Sequence, residues 1–336
     1  MKKDKISGDL GGGGRSSYDF VKNILLPIFD NPYLSKLDDG AVFDINGTRF
    51  AFSTDTFVAD PIFFPGGSIG DLAVNGTVND ISMCGAEPLY ISTGLIIEEG
   101  FSMDKLKIIL KDMKIAADNA NVKIITGDTK VVPKGGVDKI FINTSGIGIV
   151  PENITVSCSN AQPGDKIILS GTIGDHGIAM LTCREGMEFE TKIKSDTASL
   201  CNMVKNILPF GRSIHVLRDP TRGGAGTALN EIALKSQTGI FFNEKEIPVK
   251  KEVAGICEML GLDPLYIANE GKLIAVVAPE AASEILKSIK NDLFGEDAAI
   301  IGEVVSDFSG QVVMKTGIGG RRIVDMLSGE QLPRIC

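Results

Sequence analysis

Residues 69–97 read IGDLAVNGTVNDISMCGAEPLYISTGLII, and the fold class turns on them. Ile69, Leu72, Ala73 and Ile81 recur at helical spacing, so Ile69–Cys84 is expected to be a helix. Leu89–Ile97 follows at once as a strand-like run. Downstream, Ser102 is placed to cap an amphipathic helix with Leu106, Ile109, Leu110, Met113 and Ala117 on one face. Strands at Val122–Thr126 and Lys139–Val150 close this half. Upstream, strands fit Ala41–Ile45 and Arg49–Ser53, behind a lead segment that holds the Gly11–Gly14 run and a helix around Tyr18–Phe29.

Past a linker-like stretch from Pro151 to Gly164 the alternation resumes. Strands fit Lys166–Ser170, Leu273–Val277 and Ala299–Val304, and helices fit Thr197–Leu208, Gly226–Lys235, Val249–Leu260 and Ala281–Asn291. The pattern predicts an α+β chain with mixed α/β order and two domains. The expected division is a glycine-rich lead at 1–40, a first domain at 41–152, a second at 153–316, and a flexible tail at 317–336.

The length, 336 residues, suits two cores rather than one. With 43% apolar and 23% charged residues the chain is globular, not disordered. A net charge of −9, no dense Lys/Arg tract and no Trp argue against nucleic acid and anionic membrane as partners. The start MKKDKISGD has no apolar core of a signal peptide, and no apolar run is long enough to span a bilayer, so a cytoplasmic location is expected. Six cysteines, at 84, 158, 183, 201, 257 and 336, form no C-x-x-C pair and only two His exist. Zinc, iron–sulfur and disulfide frameworks are therefore not expected.

Four segments place an Asp at a strand end or on a helix among small residues: DDGA with Asp39, STDTF with Asp55, VNDIS with Asp80 and GDTK with Asp128. Each alone is explained by a cap or turn. Together they suit a magnesium site, because Mg²⁺ takes hard oxygen ligands and bridges to nucleotide phosphates. Lys130, two residues after Asp128, is a cation for phosphate or an ordinary surface lysine. Gly12 and Gly13 offer backbone N–H groups to phosphate, although no Walker or dinucleotide motif surrounds them. Asp219 precedes the glycine-rich helix start at Gly223-Gly224, a place for a cation or for a cap. Glu270, in Asn269-Glu270-Gly271-Lys272, is a candidate general base or a turn carboxylate. His176 and His215 read as structural.

Cys336 is the last residue and has no local packing role to fill. A thiol there rides on an arm that, fully extended from Gly319, reaches roughly 55 Å. Arg334 favours its thiolate and the α-carboxylate opposes it. Prenylation is excluded, since it needs the Cys four from the end.

The segments DDGA, STDTF, VNDISMCGA, GDTKVV, GDHGIAM, RDPTRGG, NEGK and LPRIC, in this order, resemble the hydrogenase expression/formation (HypE) family over essentially the whole chain. That family lies in the PurM-like superfamily of aminoimidazole ribonucleotide synthetase and selenophosphate synthetase. The resemblance implies an N-terminal ATP-binding domain whose strands build a barrel in a homodimer, followed by an α+β domain. It implies that a HypF-type carbamoyltransferase loads a carbamoyl group on the terminal Cys. ATP then drives dehydration of that group to a thiocyanate, and cyanide passes to iron on a HypC–HypD complex. Carried onto this chain, Cys336, Glu270 and Lys130 are the expected catalytic residues, with Lys130 on phosphate or in proton transfer. Asp39, Asp55, Asp80, Asp128, Asp219, Asn143, Gly12 and Gly13 are expected around ATP, and Asp39, Asp80 and Asp219 around Mg²⁺. Asn79 is a further positioning candidate. The chain has Leu10 where the family pattern leads one to expect a His before the glycine run, so no role carries over there. Two other readings remain: a selenophosphate-synthetase-like enzyme, which would need a reactive Cys near the N-terminal glycines, and a non-catalytic carrier that only presents Cys336.

Overall fold

A computed structural model describes residues 5–184, 191–329, 332 and 334–336. In chain order the elements begin with α1 (Gly14–Phe20), α2 (Leu26–Phe29), β1 (Ala41–Ile45), β2 (Thr48–Phe57), β3 (Phe63–Phe64) and β4 (Gly67–Ser68). Then come α3 (Ile69–Met83), β5 (Glu87–Glu98), α4 (Met103–Asn119), β6 (Lys123–Val132) and β7 (Ile140–Ile149). The second half holds β8 (Lys166–Leu169), α5 (Asp175–Thr182), α6 (Cys201–Ile207), β9 (Ile214–Arg218), α7 (Gly224–Ser236) and β10 (Gly239–Asn243). It ends with α8 (Lys251–Leu260), β11 (Ile274–Val277), α9 (Ala282–Lys290), β12 (Ala299–Val305), β13 (Val312–Lys315) and β14 (Arg321–Ile323).

The first sheet has the order β1-β2-β7-β5-β6. β5 and β6 are parallel neighbours joined through α4, and the other pairs are antiparallel. Helix α3 is the centrepiece. Its Ser68 cap is reciprocal: Ser68 Oγ accepts from Gly70 N–H, and Asp71 accepts from Ser68 N–H. Nearly every residue of α3 is buried because it lies between α4 and the strands β2, β5 and β7. The second sheet has the order β14-β13-β10-β12-β8-β11-β9 and is covered on both faces. Ile167 and Leu169 of β8 face the cluster that includes Leu229 and Ile232 of α7. Ile168 between them faces the cluster with Val204 of α6 and Ile285 of α9, as strand alternation requires.

Three expectations need correction. The helix expected around Tyr18–Phe29 begins earlier, at Gly14, and runs to Phe29 through a π-turn at Val21–Leu25, next to Pro27, whose missing N–H removes one helical hydrogen bond. The helix expected from Thr197 starts at Cys201. Asn79 holds residues 198–200 out of it, donating to Ala198 O at 3.0 Å and accepting from Leu200 N–H at 2.8 Å. The tail is not free over its described residues. Arg321–Ile323 forms β14 on β13, Val324 and Met326 are buried, and the last residues dock into the core. The lead segment is likewise seated: Arg15 N–H donates to Leu327 O at 2.8 Å.

Candidate active site

The ends of β1–β2, α3 and β9 converge. Asp39, Asp80 and Asp219 bring one carboxylate oxygen each within 4.8 Å of one another. Each comes from a different element: the turn before β1, the last turns of α3, and the residue after β9. Ser53 Oγ lies 2.8 Å from Asp80 Oδ2 and 2.9 Å from Asp39 O, tying β2 to both. Burial, then mutual repulsion, pushes Asp80 well above the ordinary carboxylate range. Burial pushes Asp39 well up too, against the opposing pull of Arg218. Asp219 rises to about 6 for the same leading reason. Three carboxylates in this state form an all-oxygen donor set short of positive charge, which fits a hard divalent cation.

Two arginines frame the trio. Arg218 Nη1 is 2.7 Å from Asp39 Oδ1, and its Nη2 is 2.5 Å from Glu231 Oε2. Arg222 reaches Asp55 Oδ1 at 3.8 Å and donates to Gly11 O at 3.2 Å. It thereby draws the glycine run to the site. A Cβ on Gly13 would sit 2.8 Å from Arg222 Cβ, so this approach needs a glycine. Gly11 and Gly13, flanking Gly12, line a cleft of about 520 Å³ together with Asp39, Ser53, Arg218 and Arg222.

Glu270 is 4% exposed, and its Oε1 has no hydrogen-bond partner. Burial, followed by the charges of Asp55 and Asp219, pushes it well above its ordinary value, with Arg222 opposing. Its backbone is fixed on both sides. Glu270 N–H donates to Asp196 Oδ1 at 3.1 Å, and Asn79 Nδ2 donates to Glu270 O at 3.2 Å. Lys272 Nζ stands 3.1 Å from Asp196 Oδ2. Gly271 is obligatory here, because a Cβ would fall 1.8 Å from Asp196 O.

Cys336 is 8% exposed and belongs to the first-domain core cluster, with Ile335. Val58 N–H donates to Cys336 O at 2.9 Å, and Asp60 N–H donates to Arg334 O at 3.0 Å. Among the groups that hold Arg222 charged, the anionic end at Cys336 has the largest influence, ahead of Asp55 and Glu270. The charged end of the tail thus acts electrostatically on the same arginine that pairs with Asp55 and the glycine run.

Of the residues expected from sequence, Asp39, Asp80 and Asp219 cluster together, Asp55 and Gly13 lie against Arg222, and the charges of Cys336, Glu270, Asp80 and Asp219 are coupled to that arginine. Asn143 stands one step back: it donates to Asp55 O and Thr56 Oγ1, each at 2.9 Å, and braces the strand carrying Asp55. Asp128 and Lys130 lie apart from the others within one chain. They pair with each other at 2.8 Å, both more than two-thirds exposed, on the edge strand β6. Cross-strand register runs Thr56–Asn143–Gly94–Asp128, three strand spacings or roughly 14 Å from β2. Within one chain they do not join the trio. Arg218, Arg222, Asp196 and Lys272 were not singled out from sequence. The signal for the arginines was their place on either side of Asp219 in RDPTRGG.

A five-stranded sheet with one open face, a seven-stranded sheet covered on both faces and an acidic, arginine-framed cleft define a class, and the family models agree with it. The description "AIR synthase related protein, N-terminal domain" matches residues 37–150, and "AIR synthase related protein, C-terminal domain" matches 162–315. A carbamoyl dehydratase HypE of Bradyrhizobium diazoefficiens is 51% identical over 97% of this chain and 94% of its own length. A HypE in a HypE–HypF complex superposes with a TM-score of 0.88 at 48% identity, over 92% of this chain and 99% of the other. A HypE in complex with ATP gives 0.83 at 50% identity, over 99% and 100%. The chain belongs to the carbamoyl dehydratase HypE family within the AIR-synthase-related proteins.

Proposed function

We propose that this chain dehydrates a carbamoyl group carried on its own Cys336 to a thiocyanate, at the expense of ATP, as a step in supplying cyanide to the iron of a [NiFe]-hydrogenase. The observation that carries the reading is the docked tail: Cys336 is buried with its carbonyl held by Val58 N–H, and its charge acts on Arg222 together with those of Asp55, Glu270 and Asp80.

An amide oxygen is a poor leaving group, and MgATP supplies the phosphoryl group that makes it a good one. Converting S–C(=O)–NH₂ to S–C≡N expels that oxygen as phosphate and removes both N–H protons. Asp39, Asp80 and Asp219 would hold Mg²⁺. Arg222 and the backbone of Gly11–Gly13 stand on the phosphate side. Glu270 accepts one amide proton, and the second leaves with the departing phosphate; no hydrogen bond holds the Glu270 Oε1, which leaves it open to the amide. Asn79 and Asp196 hold the Glu270 backbone, so the base keeps a fixed place.

The same thiol has to leave the pocket to meet a HypF-type carbamoyltransferase and a HypC–HypD acceptor. The outer face of the first sheet supports a homodimer. Phe52, Tyr90, Ile96 and Ile149 are more than a third exposed there, and a second copy covering it would bring Asp128 and Lys130 near a partner's site. No helix among the described residues is long and apolar enough to cross a membrane.

The test is coupled product release. Carbamoylated protein with MgATP is expected to release ADP and phosphate in step with thiocyanate formation, and Cys336→Ala is expected to bind ATP and release neither. ATP hydrolysis that proceeds equally in Cys336→Ala would remove Cys336 from the reaction.

A further inference from the structure

One buried group beside the tail has no part in the chemistry above. His176, at the start of α5, is fully buried, with its ring edge-on to Phe64 at 5.6 Å between centroids. Its two nitrogens reach different segments. Nε2 is 2.7 Å from Ile335 O, and Nδ1 is 2.7 Å from Ser195 Oγ. A carbonyl oxygen only accepts, so Nε2 carries the proton. Ser195 Oγ already accepts from Thr197 N–H at 3.1 Å, which leaves its own hydroxyl proton for Nδ1. One neutral tautomer satisfies both contacts. Burial pushes the His176 pKa down, and the charge of Asp196 opposes that only in part, so the neutral ring is the resident form.

The Ile335 carbonyl lies one peptide unit from Cys336. Val58 and Asp60 N–H, after β2, hold the carbonyls of 336 and 334, and Arg184 Nη2 also reaches Arg334 O at 3.4 Å; His176 ties the second domain to the penultimate residue between them. Ser195 belongs to the same run as Asp196, which holds the Glu270 backbone. The ring therefore links the loop segment that holds the Glu270 backbone to the residue next to Cys336.

We infer that His176 is a positioning residue, a latch whose Nε2–H donates to the Ile335 carbonyl and holds Cys336 in its docked place. Its catalytic consequence rests on Cys336 being the reacting residue; the latch itself does not.

The experiment reads tail docking without turnover. Full-length protein is treated with iodoacetamide, and alkylation of Cys336 is followed by mass spectrometry, with the exposed Cys183 as internal reference. His176→Ala is expected to raise the Cys336 rate about fivefold, the share of one hydrogen bond, and to leave Cys183 unchanged. His176→Gln, which keeps a donor near the Nε2 position, is expected to restore slow labelling. Melting temperatures of both variants establish that they fold. A folded His176→Ala with wild-type Cys336 labelling, or His176→Gln as reactive as His176→Ala, overturns the latch. If His176→Ala does not fold, ¹⁵N-histidine spectra of the wild type decide. The chain has only two histidines. His176 should show a protonated Nε2, and deleting residues 335–336 should shift its signals and leave those of His215 in place. An unprotonated Nε2, or signals unmoved by the deletion, overturns the inference. Faster labelling with an unchanged rate of dehydration keeps the latch and counts instead against Cys336 as the reacting residue.

Discussion

Arg334 Nη1 donates to Asp138 Oδ2 at 2.6 Å, joining the third residue from the C-terminus to the turn before β7. The same guanidinium donates through Nε to Val58 O at 2.9 Å and lies over the Phe141 ring, 5.9 Å from its centroid. Docking of Cys336 is thus set two residues upstream by one arginine that bridges β2 and β7. Arg334→Ala removes all three contacts and should raise Cys336 alkylation roughly tenfold. Asp138→Ala removes only the ion pair, which solvent partly screens, and should raise it about two- to threefold. Equal effects of the two variants would mean that the ion pair alone holds the tail.

Glu270→Gln keeps the size of the side chain and removes the base. Carbamoyl loading on Cys336 should proceed as in the wild type, while the single-turnover rate of dehydration falls by about 10²–10⁴-fold. Loss of loading and dehydration together would indicate damage to the pocket rather than loss of proton transfer.

Asp39, Asp80 and Asp219 repel one another when no cation is bound. Mg²⁺ should therefore raise the melting temperature of the wild type, since a ligand that binds only the folded state stabilises it. Asp80→Asn should melt higher than the wild type without Mg²⁺, gain little on its addition, and lose ATP-dependent turnover by roughly 100-fold or more. Calorimetric scans with and without Mg²⁺ check this. An Mg²⁺ response in Asp80→Asn equal to the wild type would take that carboxylate out of the site.

Away from the site, Asp71 caps α3, and burial, with Asp112 nearby, pushes its carboxyl up to about 7. Between the ordinary carboxylate pKa near 4 and that value, the folded chain keeps a proton that the unfolded chain has released. The associated stability is complete at low pH and is lost as pH rises through about 7. Urea midpoints at pH 5 and pH 8 should therefore fall more steeply in the wild type than in Asp71→Asn. Parallel behaviour would show that Asp71 titrates normally.

The sequence was most legible where local chemistry and tertiary role coincide. Residues 69–97 form α3 and β5 as their periodicity implies, and Asp39, Asp80 and Asp219 meet because each ends or follows an element aimed at one point. Strand β6 was read short, as Val122–Thr126, because Gly127-Asp128-Thr129-Lys130 looks like a turn. An edge strand with exposed side chains is held by its ladder to β5 and leaves no alternation to read. The tail was unreadable for a related reason. Its anchors are the backbone carbonyls of 334, 335 and 336 and the Arg334 side chain, whose partners all lie more than a hundred residues away, and no local pattern records them. His176, read as structural from its surroundings, owes its place to one of those carbonyls.

The most direct measurement is the intact mass of the protein carbamoylated at Cys336, before and after MgATP. The expected result is loss of the mass of one water, located at Cys336, with one ADP and one phosphate released per chain. A carbamoyl adduct that keeps its full mass while MgATP is present would contradict the dehydration reading and leave the chain as a carrier of the group.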